Sequence, residues 1–137
     1  VRQRHWRNWT EGGQAAFVTT TALDFAPVFG RAETRDLVAA ALLADCQRYR
    51  APLYAFVVMS NHLHLLVQCP AGKPVSWLVQ RLESNLAKLV LPLLDEAERA
   101  ALAQQTGLNR RSMWQAGFRS VTVADTATFD QKVRYVH

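Results

Sequence analysis

The stretch Leu53 to Val67 constrains this chain most, because it combines an apolar run with a turn signal and two histidines spaced by two. Val, Leu, Phe and Tyr dominate it, and Ser60-Asn61 interrupts it, so it reads as a β-hairpin or tight strand pair. Side chains alternate faces along a strand. His62 and His64 therefore share one face, and Leu63 and Leu65 take the other. Each neutral imidazole offers a lone pair, and two held side by side can converge on one metal ion. The plainer alternative is a pair of surface histidines on the polar face of a half-buried strand. Two other chemistries fail on spacing. A zinc deaminase needs a Glu beside the His and a Cys-x-x-Cys downstream, which Cys46 and Cys69 cannot supply. A phosphate-binding row of alternating histidines needs a third His where Leu66 stands.

The rest of the chain supplies elements around this pair. Gly12-Gly13 marks a turn before a strand over 15–21, with Phe17, Thr19 and Thr21 on one face. After a loop containing Pro27 and Gly30, Thr34 is the expected N-cap of a helix carrying Leu37, Val38, Ala41, Leu42 and Tyr49. Pro52 ends it. A second helix is expected from Val75, with Leu78, Val79, Leu82, Leu86, Leu89 and Val90 inward and Gln80, Arg81, Ser84, Asn85 and Lys88 outward. Glu83 is the one acid on that polar face, which a helix laid across the sheet could offer to phosphates. Pro92 kinks or ends this helix, and 95–105 forms a short acidic piece. A last strand is expected over 120–123. Asp125 or Thr126 then caps a final helix bearing Phe129, Val133 and Val136 on its buried side. The order strand-helix-strand-strand-helix-strand-helix is the split βαβ plan: an α+β domain with an antiparallel sheet, helices on one face and a C-terminal helix.

At 137 residues the chain is expected to be one domain. Half of it is hydrophobic and a fifth charged, an ordinary globular composition with no run long enough to span a membrane. Its net charge of +5 comes from thirteen arginines and three lysines against eleven acids. Arginine suits bidentate phosphate contacts and stacking on bases, so the balance leans toward a nucleic-acid partner, although Arg-rich codon usage gives the same bias. Arg2, Arg4, His5, Trp6, Arg7 and Trp9 mix cations with aromatics, which can grip single strands or tuck against the core. Two cysteines fit a reducing cytoplasm and free buried thiols. The end at His137, inside a periodic segment, reads as a truncated C-terminus.

Taken together, Val57-Val58-Met59-Ser60-Asn61-His62-Leu63-His64-Leu65-Leu66-Val67, Trp114-Gln115-x-Gly117-Phe118 and Val133-Arg134-Tyr135-Val136-His137 resemble one family. They are similar to the single-tyrosine HUH transposases, in particular the REP-associated tyrosine transposases. The resemblance covers nearly the whole chain. It implies a ferredoxin-like fold, a divalent metal, Mg²⁺ or Mn²⁺, held by His62 and His64, and Tyr135 as a nucleophile toward DNA. It places the third metal ligand one helical turn after that tyrosine, beyond His137. The DNA would be single-stranded or folded into a hairpin, and the protein would act in the cytoplasm at the nucleoid as a monomer or homodimer. From the helix pattern alone, Tyr135 could equally be a half-buried structural tyrosine, as Tyr49 and Tyr54 are expected to be. Arg110, Arg111, Lys132 and Arg134 are candidate contacts to the DNA backbone, and each alone could be a solvated charge. Two other functions remain open. One is a domesticated protein that binds hairpins without cutting, and the other is a metal phosphodiesterase using water in place of the tyrosine.

Overall fold

The computed structural model describes residues 15–106 and 113–123, together with Asp130, Gln131 and Arg134. Its elements in chain order are β1 (Ala15–Thr21), a 3-10 turn (Leu23–Phe25), α1 (Ala32–Arg48), β2 (Leu53–Val58), β3 (His62–Gln68), α2 (Val75–Val90), a second 3-10 turn (Leu91–Leu93), α3 (Glu96–Thr106) and β4 (Arg119–Val123). The four strands make one antiparallel sheet in the order β2-β3-β1-β4. β3 lies between β1 and β2, the strands on either side of α1, which is the split βαβ arrangement of a ferredoxin-like fold. Asp130, Gln131 and Arg134 are helical, in agreement with the expected C-terminal helix.

Strand alternation divides the sheet into two unlike faces. Ala16 and Val18 of β1 and Leu63, Leu65 and Val67 of β3 join Val38, Leu42 and Cys46 of α1 and Leu78, Val79, Leu82, Leu86 and Val90 of α2 in the main core. The other face carries a smaller cluster of Ala15, Phe17, Ala55, Leu66 and Val123. Burial of apolar area at roughly 25 cal/mol per Å² makes the first layer the one that holds the helices down. It leaves the even-numbered residues of β3, His62 and His64 among them, on the side away from α1 and α2.

Several local expectations are corrected. α1 begins at Ala32 with Arg31 at the N-cap, so Thr34 lies buried in the first turn and caps nothing. Side chains reach this end instead: Arg35 donates to the carbonyls of Phe29 and Gly30, both at 2.9 Å, and Arg31 pairs with Glu98. The buried stripe runs through Thr34, Val38, Leu42 and Cys46, spaced by four, which turns Leu37 outward to 46% exposure. On α2, Asn85 is not solvated but donates to Asp45 and to the hydroxyl of Tyr49, tying the two helices together. Because α2 covers the face opposite the histidines, its polar side does not line their cleft. α3 carries a reciprocal capping box, in which the Asp95 backbone N–H donates to the Glu98 carboxylate and the Glu98 N–H to the Asp95 carboxylate. Cys46 and Cys69 are free and buried, and burial pushes the Cys46 thiol up to about 12. No helix among the described residues is long and apolar enough to cross a membrane.

A candidate metal and DNA site on the open sheet face

The hairpin tip between β2 and β3 is fixed from outside, and this sets the position of the first histidine. Ala22 donates its backbone N–H to Asn61 O at 2.8 Å, and Phe29 donates to Ser60 O at 2.9 Å. Within the turn, Met59 N–H donates to His62 O at 2.8 Å. Pairing with β1 then sets Thr21 opposite His62 and Thr19 opposite His64. Continued through β2 and β4, the register places Val57, His64, Thr19 and Arg119 in one row across all four strands, on the face away from the helices.

The two imidazoles meet edge to face, with centroids 4.9 Å apart and planes at 80°. Phe17 stacks on His64 at 5.4 Å. Each ring has its Nδ1 engaged. The Asn61 carboxamide donates through Nδ2 to the carbonyl of Phe25 at 3.4 Å, so its Oδ1, 2.7 Å from His62 Nδ1, accepts from that nitrogen. The Thr19 hydroxyl lies 2.9 Å from His64 Nδ1. A histidine held at one nitrogen ligates through the other, and such outer partners fix ring orientation and tautomer. Burial, and then the neighbouring His62, lower the His64 pKa, which favours the neutral form that can bind a metal.

The spacing can be tested against an ion. A metal–nitrogen bond of about 2.1 Å plus the ring radius puts an ion about 3.3 Å from each centroid. Centroids 4.9 Å apart then subtend an angle of roughly 100° at that ion, suited to adjacent positions in octahedral or tetrahedral coordination. The centroid separation is the one that two imidazoles sharing a single ion would have. Among the described residues no group of three or more His, Cys, Asp or Glu that could hold a metal forms.

These rings line a cleft of about 510 Å³. Thr19, Thr21, His62 and His64 line it from the sheet, Phe25 from the first 3-10 turn, and Gln115, Ala116, Gly117, Phe118 and Arg119 from the segment entering β4. That segment is anchored to β1 and α2. Gln115 N–H donates to Thr21 O at 2.9 Å, Leu23 N–H donates to Met113 O at 2.9 Å, and the Trp114 indole donates to Glu83 O at 2.8 Å. Gly117 turns the chain at φ +78°, a conformation in which a Cβ is strained.

His62 and His64 thus come together as the sequence predicts. Tyr135, Lys132, Arg110 and Arg111 lie outside the described residues, and Arg134 is helical and exposed. Tyr54 donates to Gln68 at the far end of β3 from His62, and burial pushes its phenol up to about 12. Tyr49 packs edge-on against Trp77 at 5.8 Å, on the helical side. Sequence reasoning misses Asn61, Gln115, Phe25 and Arg119 as parts of the site. For Arg119 a signal existed: extending the last strand back by one residue places it on the same face as Val121 and Val123.

A family model described as transposase, IS200-like, matches residues 26–137 of this sequence. The chain belongs to that family. No curated protein is similar enough to this chain to count as a match. Several solved structures share its fold, two of them as follows. One is a REP-associated tyrosine transposase bound to a REP hairpin, with a TM-score of 0.63 and 16% identity over 91% of this chain. This chain spans 65% of the length of that protein. The other is a candidate transposase from Deinococcus radiodurans, with a TM-score of 0.63 and 18% identity, covering 90% of each chain. In this IS200-like member, the first 3-10 turn and the loop before β4 line the cleft beside the two histidines.

Proposed function

We propose that the protein is a metal-dependent single-stranded DNA endonuclease and strand transferase that acts on hairpin-associated DNA. The observation that carries this reading is the His62–His64 pair, edge to face at 4.9 Å in a cleft that also holds Arg119. A family of transposases and a fold shared with a transposase bound to a REP hairpin support DNA as the substrate. In the cell the ion is Mg²⁺, with Mn²⁺ at least as effective in vitro because it accepts imidazole ligands more readily.

His62 and His64 would hold the ion, which supplies charge neutralisation and orientation at the scissile phosphate. Asn61 and Thr19 keep the two rings turned toward it. Arg119 neutralises a neighbouring backbone phosphate, and Arg110, Arg111, Lys132 and Arg134 extend that contact along the strand. Tyr135 is the nucleophile. Its oxygen forms a bond to phosphorus and loses its proton, the bond from phosphorus to the 3′ oxygen breaks, and that oxygen leaves as a 3′-hydroxyl after taking up a proton. The product is a 5′-phosphotyrosine, which keeps the phosphodiester energy for rejoining to another 3′-hydroxyl.

The test is incubation of the protein with labelled single-stranded hairpin DNA and Mn²⁺, followed by denaturing electrophoresis. A covalent adduct is expected, lost in Tyr135→Phe while DNA binding persists. An adduct that survives in Tyr135→Phe refutes the assignment of the nucleophile. Cleavage by that variant with no adduct would instead point to water as the attacking group.

A further inference from the structure

Phe25 stands out among the cleft residues because both its exposure and its backbone run against ordinary packing. Its side chain is 62% exposed, the most exposed of the large hydrophobic residues described. Its φ is +57°, and that of Asp24 before it is +49°. Two consecutive non-glycine residues in the left-handed region are uncommon, and a bulky one there is held by its surroundings. Those surroundings are on the page. Phe25 N–H donates to Ala22 O at 2.9 Å, Leu23 N–H is bonded to Met113 O, and the Phe25 carbonyl receives the Asn61 side chain that also binds His62. The strained turn and the histidine pair are thus joined through a single carboxamide.

The ring gains little burial from this arrangement, but it reaches the rim of the cleft whose other members include His62, His64, Gln115, Phe118 and Arg119. An exposed aromatic face beside a cation and a candidate phosphate site is the combination by which single strands are gripped, with cations on phosphates and rings on bases. We propose that Phe25 is a nucleobase platform, on which an unpaired base next to the phosphate held at His62 and His64 stacks. The inference rests on the single-strand reading of that cleft and assigns it a base-binding subsite. Stacking needs only a π face, so the subsite takes any base and contributes affinity and position without reading sequence.

Two single-stranded probes of equal length separate the base contact from the phosphate contacts: an oligothymidylate and an abasic deoxyribose-phosphate backbone. Affinities of each are measured by fluorescence anisotropy for the parent, Phe25→Leu and Phe25→Trp. The parent is expected to prefer the oligothymidylate. Phe25→Leu should weaken that probe by about fivefold to a hundredfold, the range of a lost aromatic–base stack, and leave the abasic probe unchanged. Phe25→Trp should keep the preference, with unchanged circular dichroism for all three proteins. Equal weakening of both probes by Phe25→Leu, or no weakening of either, overturns the platform. A parent that binds both probes equally also overturns it but leaves the phosphate-binding site standing. A parent that binds neither removes the single-strand reading as well.

Discussion

Replacing Asn61 tests how the histidines are held, and the structure sets the expected size of the effect. Its Oδ1 accepts from His62 Nδ1 at 2.7 Å, while its Nδ2 reaches the Phe25 carbonyl at the longer 3.4 Å. The first contact fixes which nitrogen of His62 carries the proton and how the ring is turned. Loss of such an outer partner lowers metal affinity about 10- to 100-fold, which corresponds to about 1.4–2.7 kcal/mol. Asn61→Ala should therefore weaken Mn²⁺ binding by that factor, measured by titration calorimetry. Its folding cost should stay near the net worth of one hydrogen bond, about 0.5–1.5 kcal/mol, because the backbone bonds at the hairpin tip remain. Asn61→Asp keeps an acceptor against Nδ1 and adds negative charge near the ion, so its Mn²⁺ affinity should match or exceed that of the parent. The exposed neighbour Ser60, changed to Ala, serves as the control. If Asn61→Ala leaves Mn²⁺ affinity within about twofold of the parent, the orienting role assigned through outer-partner effects is wrong.

Other consequences follow from individual residues. Arg50 sits at φ +56° just past α1, where Ala51 N–H closes back onto Cys46 O at 2.8 Å, a helix end that favours glycine. Arg50→Gly should raise stability by about 0.5–1 kcal/mol in urea unfolding, and a loss would show that the arginine side chain holds this end. Burial raises the Glu83 pKa, and the Thr20 hydroxyl bond only partly opposes it. The folded state therefore binds the proton more tightly than the unfolded chain, whose Glu titrates near about 4.3, and this residue's contribution to stability declines as pH rises above that value. Glu83→Gln should be more stable than the parent at neutral pH and lose that advantage in acid; a gain that grows toward low pH would contradict the sign. Trp114→Phe should loosen the wall before β4 by removing the indole bond to Glu83 O, costing about 0.5–1.5 kcal/mol in thermal unfolding. An unchanged midpoint would mean that the backbone bonds of this segment and ring packing against Phe29 hold the loop without the indole bond.

The fold was legible because its signals are local. Alternation in 53–67 and the spacing of Leu78, Leu82 and Leu86 each reflect a buried face that a short window displays. The histidine pair was legible for the same reason, since a strand puts residues two apart on one face. What surrounds it was not. Thr19 meets His64 across a separation of 45 residues, and Arg119 joins their row only through the β1–β4 register, which no local pattern encodes. Glu83 is the one acid on the polar face expected of α2, yet packing turns it to Thr20 of β1. Phe25 gave no cue at all, because nothing in the residue type announces a left-handed backbone.

The account depends on His62 and His64 converging on a single ion through their Nε2 atoms. Anomalous diffraction from crystals grown with Mn²⁺ and single-stranded DNA tests this directly. One Mn²⁺ peak is expected in the cleft, bonded to both Nε2 atoms and to a phosphate oxygen. Manganese bound to only one imidazole, or elsewhere on the surface while DNA occupies the cleft, would contradict it.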